Sequence, residues 1–244
     1  MPETLNPMVS REAWLEARTA LLAQEKALTK RLDALRAERM KLPWVKVDKL
    51  YNFDTPGGPK TLADLFAGRS QLLVQHFMFA PDWDEGCVGC SLGADHIDGV
   101  LPHLENHDVK FTAVSRAPLG KLEAFKRRMG WRFDWISSGD TDFNADYGVA
   151  FRDGAGVYNY RAGQDLPDDL PGLSAFFRDA DGTVYHTYSC YARGTEVAGG
   201  VFGLLDICPK GRNEAGNMTG WLRHHDRYDG AAHGCGCGSQ GSVI

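Results

Sequence analysis

The stretch Gln71-Leu-Leu-Val-Gln-His-Phe-Met-Phe79, followed closely by Gly86-Cys-Val-Gly-Cys90, decides the fold of this chain. The first segment is almost entirely apolar, as is typical of a strand that is buried on both faces. Residues 90–107 then carry apolar side chains at helical spacing. The sequence therefore predicts a Cys-x-x-Cys pair where a short loop joins a central strand to the start of a helix.

Strand and helix patterns continue beyond this helix. Residues 109–115 and 131–136 are predicted strands, and residues 119–129 between them have the pattern of a basic amphipathic helix. A strand–helix–strand–helix–strand order predicts a parallel sheet with right-handed crossovers.

The last third of the chain has a different pattern. An antiparallel hairpin is predicted for residues 173–177 and 183–188, and a closing helix for residues 197–206. From residue 213 onward glycine and polar residues dominate, which predicts a flexible C-terminal tail.

Residues 10–42 are predicted to form one long helix that Ser10 caps and Pro43 ends. Apolar residues recur along it every seven positions: Trp14, Leu21, Leu28, Leu35 and Leu42. Such a stripe can lie on the helix's own domain or can act as a dimer-forming arm. The chain is therefore expected to have three parts: an N-terminal helical arm (1–42), a main domain (43–212) and a C-terminal extension (213–244).

The composition excludes several classes of function. In 244 residues, 32 acidic side chains outnumber 27 Lys and Arg, for a net charge of −5, so the chain has no global attraction to nucleic acid or anionic lipid. No segment approaches the roughly 18 apolar residues of a membrane span. The first residues have neither a basic nor an apolar signal region, which predicts a cytoplasmic protein.

The pair Cys87 and Cys90 is suited to thiol–disulfide exchange. Backbone N–H groups at a helix start stabilise a thiolate on Cys87, and the spacing lets Cys90 resolve a mixed disulfide. Nearby carboxylates raise a thiol pKa, and three of them precede the pair: Asp82, Asp84 and Glu85. We therefore expect an ordinary or weakly lowered pKa for Cys87, unless Arg116 or another cation lies close.

Several further segments carry a family resemblance, and they are Phe77-Met-Phe-Ala-Pro-Asp-Trp83, Cys87-Val-Gly-Cys-Ser91, Val114-Ser-Arg-Ala-Pro-Leu119, Phe125-Lys-Arg-Arg-Met-Gly-Trp131, Asp142-Phe-Asn-Ala-Asp-Tyr-Gly-Val149, Tyr188-Ser-Cys-Tyr-Ala-Arg-Gly194 and Leu205-Asp-Ile-Cys-Pro-Lys-Gly-Arg212. With the element order, they make residues 43–212 resemble the thioredoxin-like superfamily. More closely, the chain resembles an uncharacterised bacterial "domain of unknown function" family related to the peroxiredoxin-type branch. The resemblance implies an α/β thioredoxin-like fold, with a central mixed sheet flanked by helices.

The resemblance also implies roles for individual residues. Cys87 matches the attacking cysteine and Cys90 the resolving one. Pro171 lies where such proteins place a cis-proline against the dithiol, so a cis peptide bond is expected there. In the superfamily a tryptophan directly precedes the first cysteine, whereas here Gly86 does and Trp83 lies four residues before Cys87. Arg116 ends a predicted strand at the sheet edge where parallel sheets bind ligands. We expect Trp83, Arg116 and Pro171 to border a substrate groove.

One departure argues against a peroxidase of the peroxiredoxin type. Such a protein carries threonine or serine three residues before its reactive cysteine, and this chain has Asp84. The leading hypothesis is therefore a thiol–disulfide oxidoreductase that acts on a protein or small-molecule disulfide, needs no organic cofactor, and dimerises through the N-terminal helix.

Two alternatives remain open from the sequence. One is an interaction protein with a vestigial dithiol. The other is a zinc- or copper-binding module, because thiolate and imidazole suit those metals. Its ligands would be Cys87, Cys90, His233, Cys235 and Cys237.

Overall fold

The N-terminal helix α1 (Arg11–Arg39) is 29 residues long, and the Ser10 side chain caps it by accepting a hydrogen bond from the Ala13 N–H at 3.2 Å. This confirms the predicted helix and its cap. The helix ends three residues before Leu42, because the ring of Pro43 disfavours helical backbone in the residues just before it. No residue of α1 is buried.

The computed structural model describes residues 6–139, 141–151, 153–209 and 222–228. The chain divides into two compact units, residues 1–43 and residues 44–244. Among the described helices, none combines the length and the apolar character that a membrane crossing requires.

The second unit contains the remaining elements, in the order β1 (Val45–Lys46), β2 (Asn52–Phe53), β3 (Lys60–Thr61), β4 (Gln71–His76), α2 (Val88–Asn106), β5 (Val109–Ser115), α3 (Leu119–Met129), β6 (Asp134–Ser137), α4 (Phe143–Asp146), β7 (Gly156–Tyr158), β8 (Arg161–Gly163), β9 (Gly172–Arg178), β10 (Val184–Tyr191) and α5 (Val201–Asp206). Short 3₁₀ segments lie at Asp64–Phe66, Ala192–Ala198 and His225–Arg227.

The central sheet has the strand order β1-β10-β9-β4-β5-β6. Strands β4, β5 and β6 run parallel, whereas β9 and β10 are antiparallel to their neighbours. This confirms the predicted mixed sheet and the hairpin, whose turn contains Gly182 at φ +85°. Strand β4 is central, and it separates two apolar clusters: Leu72 and Val74 belong to one and Leu73 packs against the other.

Strand β6 starts later than the alternating pattern predicts. Trp131 and Phe133 are buried with Trp135 in one cluster, so the alternation is correct. However, the Arg132 N–H donates to the Asp98 carboxylate of α2 at 2.7 Å rather than to a neighbouring strand. Residues 131–133 therefore have the alternating burial of a strand, although hydrogen bonding to the neighbouring strand begins only at Asp134.

The closing helix is also divided. Its predicted start lies in the 3₁₀ segment Ala192–Ala198, and α5 begins only after Gly199 and Gly200. Two consecutive glycines weaken a helix at this point, because glycine loses the most backbone entropy when it becomes helical.

Candidate active site

The two cysteines lie at the start of α2, directly after the loop that follows β4. Cys87 is the N-cap residue of the helix, and its N–H donates to the Met78 carbonyl at 3.1 Å. The Met78 N–H in turn points to the Cys90 sulfur at 3.5 Å. Both thiols are free, with Cys87 half-buried and Cys90 buried. The loop backbone thus holds both residues close to the end of the central strand.

The thiol of Cys90 donates a hydrogen bond to the Cys87 sulfur, which lowers the pKa of Cys87 to about 6, with help from the N–H groups of Cys90 and Gly89 and against the effect of burial. The same hydrogen bond, together with burial, raises the pKa of Cys90. A pKa near 6 favours the thiolate form of Cys87 at neutral pH, whereas Cys90 keeps its proton.

The expectation of a nearly ordinary pKa for Cys87 is therefore wrong. The stabilising groups are hydrogen-bond donors rather than a cation, and the sequence pattern of acidic residues did not reveal them. The nearest of those acids, Glu85, is bound by Arg128 at 2.7 Å and by Arg227 at 2.7 Å. Its charge is thus largely compensated by the two guanidinium groups.

A cavity of about 250 Å³ lies beside both cysteines. Its walls are largely apolar and come from distant parts of the chain: Met78, Leu92, Leu173, Ala198, Phe202 and Leu222. Among the described lining residues, none is a lysine or an arginine, and Glu196 is the one carboxylate. The cavity offers a reactive sulfur in an apolar setting.

Pro171 lines this cavity, and its role in a substrate groove stays a prediction. The expected cis bond is absent, because the described peptide bonds are all trans. The extended backbone around the proline is held from both sides: the Leu170 N–H donates to the Val149 carbonyl at 3.0 Å, and the Tyr158 hydroxyl donates to the Pro171 carbonyl at 2.9 Å.

Trp83 and Arg116 lie nearby but are not among the residues that line the cavity. Trp83 packs against the apolar cluster that contains Phe77 and Trp135. The Arg116 Nε donates to the buried carboxylate of Asp169 at 2.7 Å, and burial raises the pKa of Asp169 against the effect of this arginine. A role for Trp83 and Arg116 in a substrate groove stays a prediction.

His76, at the end of β4, also borders the cavity but is fully buried. Its Nε2 is linked to the Ser174 hydroxyl, that hydroxyl to Ser189, and Ser189 to the Nε2 of His186, at 2.7 Å in each step. Burial lowers the pKa of His76 to about 3. The imidazole is therefore neutral and supplies no positive charge to Cys87.

A larger cavity of about 690 Å³ lies between α4 and the β7–β8 hairpin. The described residues that line it include His186 and Asp146 but no cysteine. The smaller of these two cavities is therefore the candidate active site, because the Cys87 thiol borders it.

The short described segment at residues 222–228 completes the site, although no pattern in the sequence predicts its contacts. Leu222, only 3% exposed, lines the cavity. The His224 Nε2–H donates to the Gly86 carbonyl at 2.9 Å, and Arg128 binds Asp226 through two hydrogen bonds of 2.8 and 3.0 Å. No local pattern could indicate these contacts, because 138 positions separate His224 from Gly86.

The metal-binding alternative lies mostly outside the described residues, since His233, Cys235 and Cys237 belong to the part of the tail that is not described. Within the described ranges, no group of three or more His, Cys, Asp or Glu side chains is arranged to hold a metal ion. The tail-assisted metal site stays a prediction.

The topology and the site together define a class of protein. Three parallel strands beside an antiparallel hairpin, with a Cys-x-x-Cys pair at the start of the helix after the central strand, are the features of a thioredoxin-like protein. The chain belongs to the family described as "Bacterial protein of unknown function (DUF899)", whose model matches residues 3–228. This confirms the resemblance to a bacterial family of unknown function. No curated protein matches the chain.

Solved structures that match this chain include peroxidoxin BcpB from Mycobacterium tuberculosis, at 15% identity and a TM-score of 0.44, over 62% of this chain and 86% of that one. Another is the bacterioferritin comigratory protein of Xanthomonas campestris, at 17% identity and a TM-score of 0.44, over 66% and 96%. A third is a secreted Mycobacterium tuberculosis disulfide oxidoreductase homologous to Escherichia coli DsbE, at 19% identity and a TM-score of 0.35, over 62% and 92%.

Proposed function

We propose that this protein is a thiol–disulfide oxidoreductase in which Cys87 attacks and Cys90 resolves. The observation that carries the proposal is the placement of both free thiols at the start of α2, beside a cavity. Hydrogen bonding from Cys90 lowers the pKa of Cys87, and the proton of the pair stays on Cys90. The division into nucleophile and resolving thiol follows from this asymmetry.

The reaction conserves atoms and electrons. The Cys87 thiolate attacks one sulfur of a disulfide, R–S–S–R, and the bond between the two substrate sulfurs breaks. The first thiolate leaves and takes a proton from solvent. Cys90 then loses its proton and attacks the Cys87 sulfur, which releases the second thiol. The substrate gains two electrons, and the protein is left with a Cys87–Cys90 disulfide that an external dithiol must reduce.

The proposal places the protein in the cytoplasm, where thiol reductants return such a pair to its dithiol form. It also includes a homodimer formed through α1. The support for the dimer is the seven-residue spacing of apolar side chains on a helix in which no residue is buried.

Alkylation mapping tests the redox proposal. The reduced protein is exposed to an excess of the thiol oxidant diamide, quenched with an alkylating agent and digested, and the peptides are identified by mass spectrometry. We expect a Cys87–Cys90 disulfide that disappears in Cys87→Ser and Cys90→Ser. The control is Cys208→Ser, which removes an exposed cysteine and should change nothing. If Cys87 and Cys90 never become linked under excess oxidant, the oxidoreductase proposal is wrong.

A further inference from the structure

The volume of the cavity beside Cys87 and Cys90, and the apolar character of its walls, indicate which kind of disulfide can bind there. We propose that the substrate is a small, uncharged disulfide whose apolar substituent fills the cavity beside Cys87, with Leu222 as a specificity-determining wall. This inference rests on the proposed function and adds the chemical class of the substrate to it.

The size of the cavity limits the substituent. Its volume of about 250 Å³ corresponds to about eight water molecules at about 30 Å³ each. Cavities for drug-sized ligands are larger, at roughly 300–1,000 Å³. A short alkyl or aryl group beside a sulfur atom fits inside this space, whereas most of a peptide-sized substituent such as a glutathionyl group would remain outside it.

The chemistry of the walls excludes charged substituents. Apolar side chains converge from the loop after β4, from α2, β9 and α5, and from the C-terminal segment. Anions find no cation there, because the described lining residues include no lysine or arginine and the imidazole of His76 is neutral. The Cys87 thiolate repels an anion further, and Glu196 is already paired with Arg193 at 2.7 Å.

Three arginines of the same unit are already in ion pairs: Arg116 binds Asp169, Arg128 binds both Glu85 and Asp226, and Arg193 binds Glu196 of the cavity wall. A charged substituent that paired with one of these arginines would have to break its ion pair. An uncharged apolar group pays no such cost and gains from leaving water.

Leu222 is the wall residue that can be changed without touching the reacting sulfurs. It is held in place by its neighbours: His224 donates to the Gly86 carbonyl, one residue before Cys87, and Asp226 pairs with Arg128 of α3. Residues from the C-terminal segment thus help to set the shape of a cavity that is otherwise built by the thioredoxin-like sheet and its helices.

The test uses four disulfides of matched length. They are dipropyl disulfide, bis(2-hydroxyethyl) disulfide, cystamine and 3,3′-dithiodipropionate, which place a methyl, a hydroxyl, an ammonium and a carboxylate group at the same distance from sulfur. The reduced protein is mixed with each one, and formation of the Cys87–Cys90 disulfide is followed by rapid quenching and alkylation. Each rate is divided by the rate of the same disulfide with free dithiothreitol, which removes differences in intrinsic reactivity.

We expect the normalised rate for dipropyl disulfide to exceed that for the hydroxyl analogue by less than about tenfold, because the lining residues Gln75 and His76 carry buried polar atoms without a partner, Oε1 and Nδ1, to which a hydroxyl can bond. The charged analogues, oxidised glutathione and the disulfides of insulin should react more slowly still. Leu222→Ala should reduce the preference for the propyl group, and Leu222→Met, which keeps an apolar side chain, should retain it. The matched control is Leu204→Ala, which changes an exposed leucine of α5.

The outcomes separate the two proposals. If all disulfides oxidise the pair at the same normalised rate, or if oxidised glutathione or insulin is preferred, the substrate inference is overturned and the oxidoreductase proposal stands. An unchanged preference in Leu222→Ala overturns the role of Leu222. If no disulfide oxidises the pair, the proposed function fails, and the substrate inference fails with it.

Discussion

Replacing Cys90 with alanine should raise the pKa of Cys87, because the substitution removes the thiol that donates a hydrogen bond to the Cys87 sulfur. The backbone N–H groups of residues 89 and 90 remain in Cys90→Ala. Part of the stabilisation of the thiolate therefore survives, and the pKa should stay below its ordinary value of 9.0.

The size of the shift follows from the strength of that single hydrogen bond. A hydrogen bond to a charged group contributes about 1.5–3 kcal/mol, and one pKa unit corresponds to about 1.4 kcal/mol. The expected rise is therefore about one to two units, from about 6 in the wild-type protein. In Cys90→Ser the hydroxyl can still donate, so the shift should be smaller.

The pH dependence of alkylation measures this pKa. Each protein is alkylated briefly at a series of pH values, and the peptide that contains Cys87 is quantified by mass spectrometry. The midpoint of the curve is the useful quantity, and the rate at one pH is not, because a more basic thiolate is also more nucleophilic.

Two results would contradict this explanation of the low pKa of Cys87. A midpoint in Cys90→Ala equal to that of the wild-type protein would show that the Cys90 thiol does not stabilise the thiolate. Equal midpoints in Cys90→Ala and Cys90→Ser would show that a donor at this position is not the cause. In either case the difference between the two cysteines would need another origin, such as the helix start alone.

Three further predictions concern stability and assembly. Gly86→Ala should destabilise the protein by about 1–3 kcal/mol in urea unfolding, because the new Cβ would lie 2.7 Å from a ring carbon of Phe77. The control is Gly99→Ala in α2, where the new Cβ meets open space, and it should stabilise the protein by about 0.5–1 kcal/mol. The pKa of Asp226 is lowered to about 2 by its arginine partner, so its contribution to stability is present above pH 4 and is lost as the pH falls toward 2; Asp226→Asn should make the urea midpoint less dependent on pH in this range, and an equal dependence would contradict the ion pair. Leu28→Glu, which places a charge in the apolar stripe of α1, should convert the proposed dimer into monomers in light scattering, and a monomeric wild-type protein would contradict the dimer.

The sequence predicted those features that depend on neighbouring residues. The apolar run of β4 and the helical spacing after Cys90 are local patterns, so the central strand, the helix and the position of the dithiol between them could be derived. The same holds for Trp131 and Trp135, whose alternation places both side chains in one apolar cluster. Such patterns can be read from the sequence because the geometry of one helix or strand determines which of its side chains share a face.

The features that escaped prediction depend on contacts between distant residues. The acidic residues before Cys87 suggested an ordinary pKa, but the hydrogen bond from Cys90 and the arginines around Glu85 could not be read from spacing. The contribution of Leu222 to the cavity wall has no local signal either. Its segment lies in a glycine-rich tail, and such a composition does not indicate a segment that packs against the domain. Long-range pairing of this kind follows only from the folded arrangement.

The bond between His224 and the Gly86 carbonyl has a consequence for how this protein should be expressed and engineered. A chain cut after residue 212 would keep the whole sheet and both thiols, yet it would lose one side of the space in which a substrate must sit. A fragment that ends at residue 212 would therefore have an altered cavity. A substrate preference measured on that fragment would not describe the full chain.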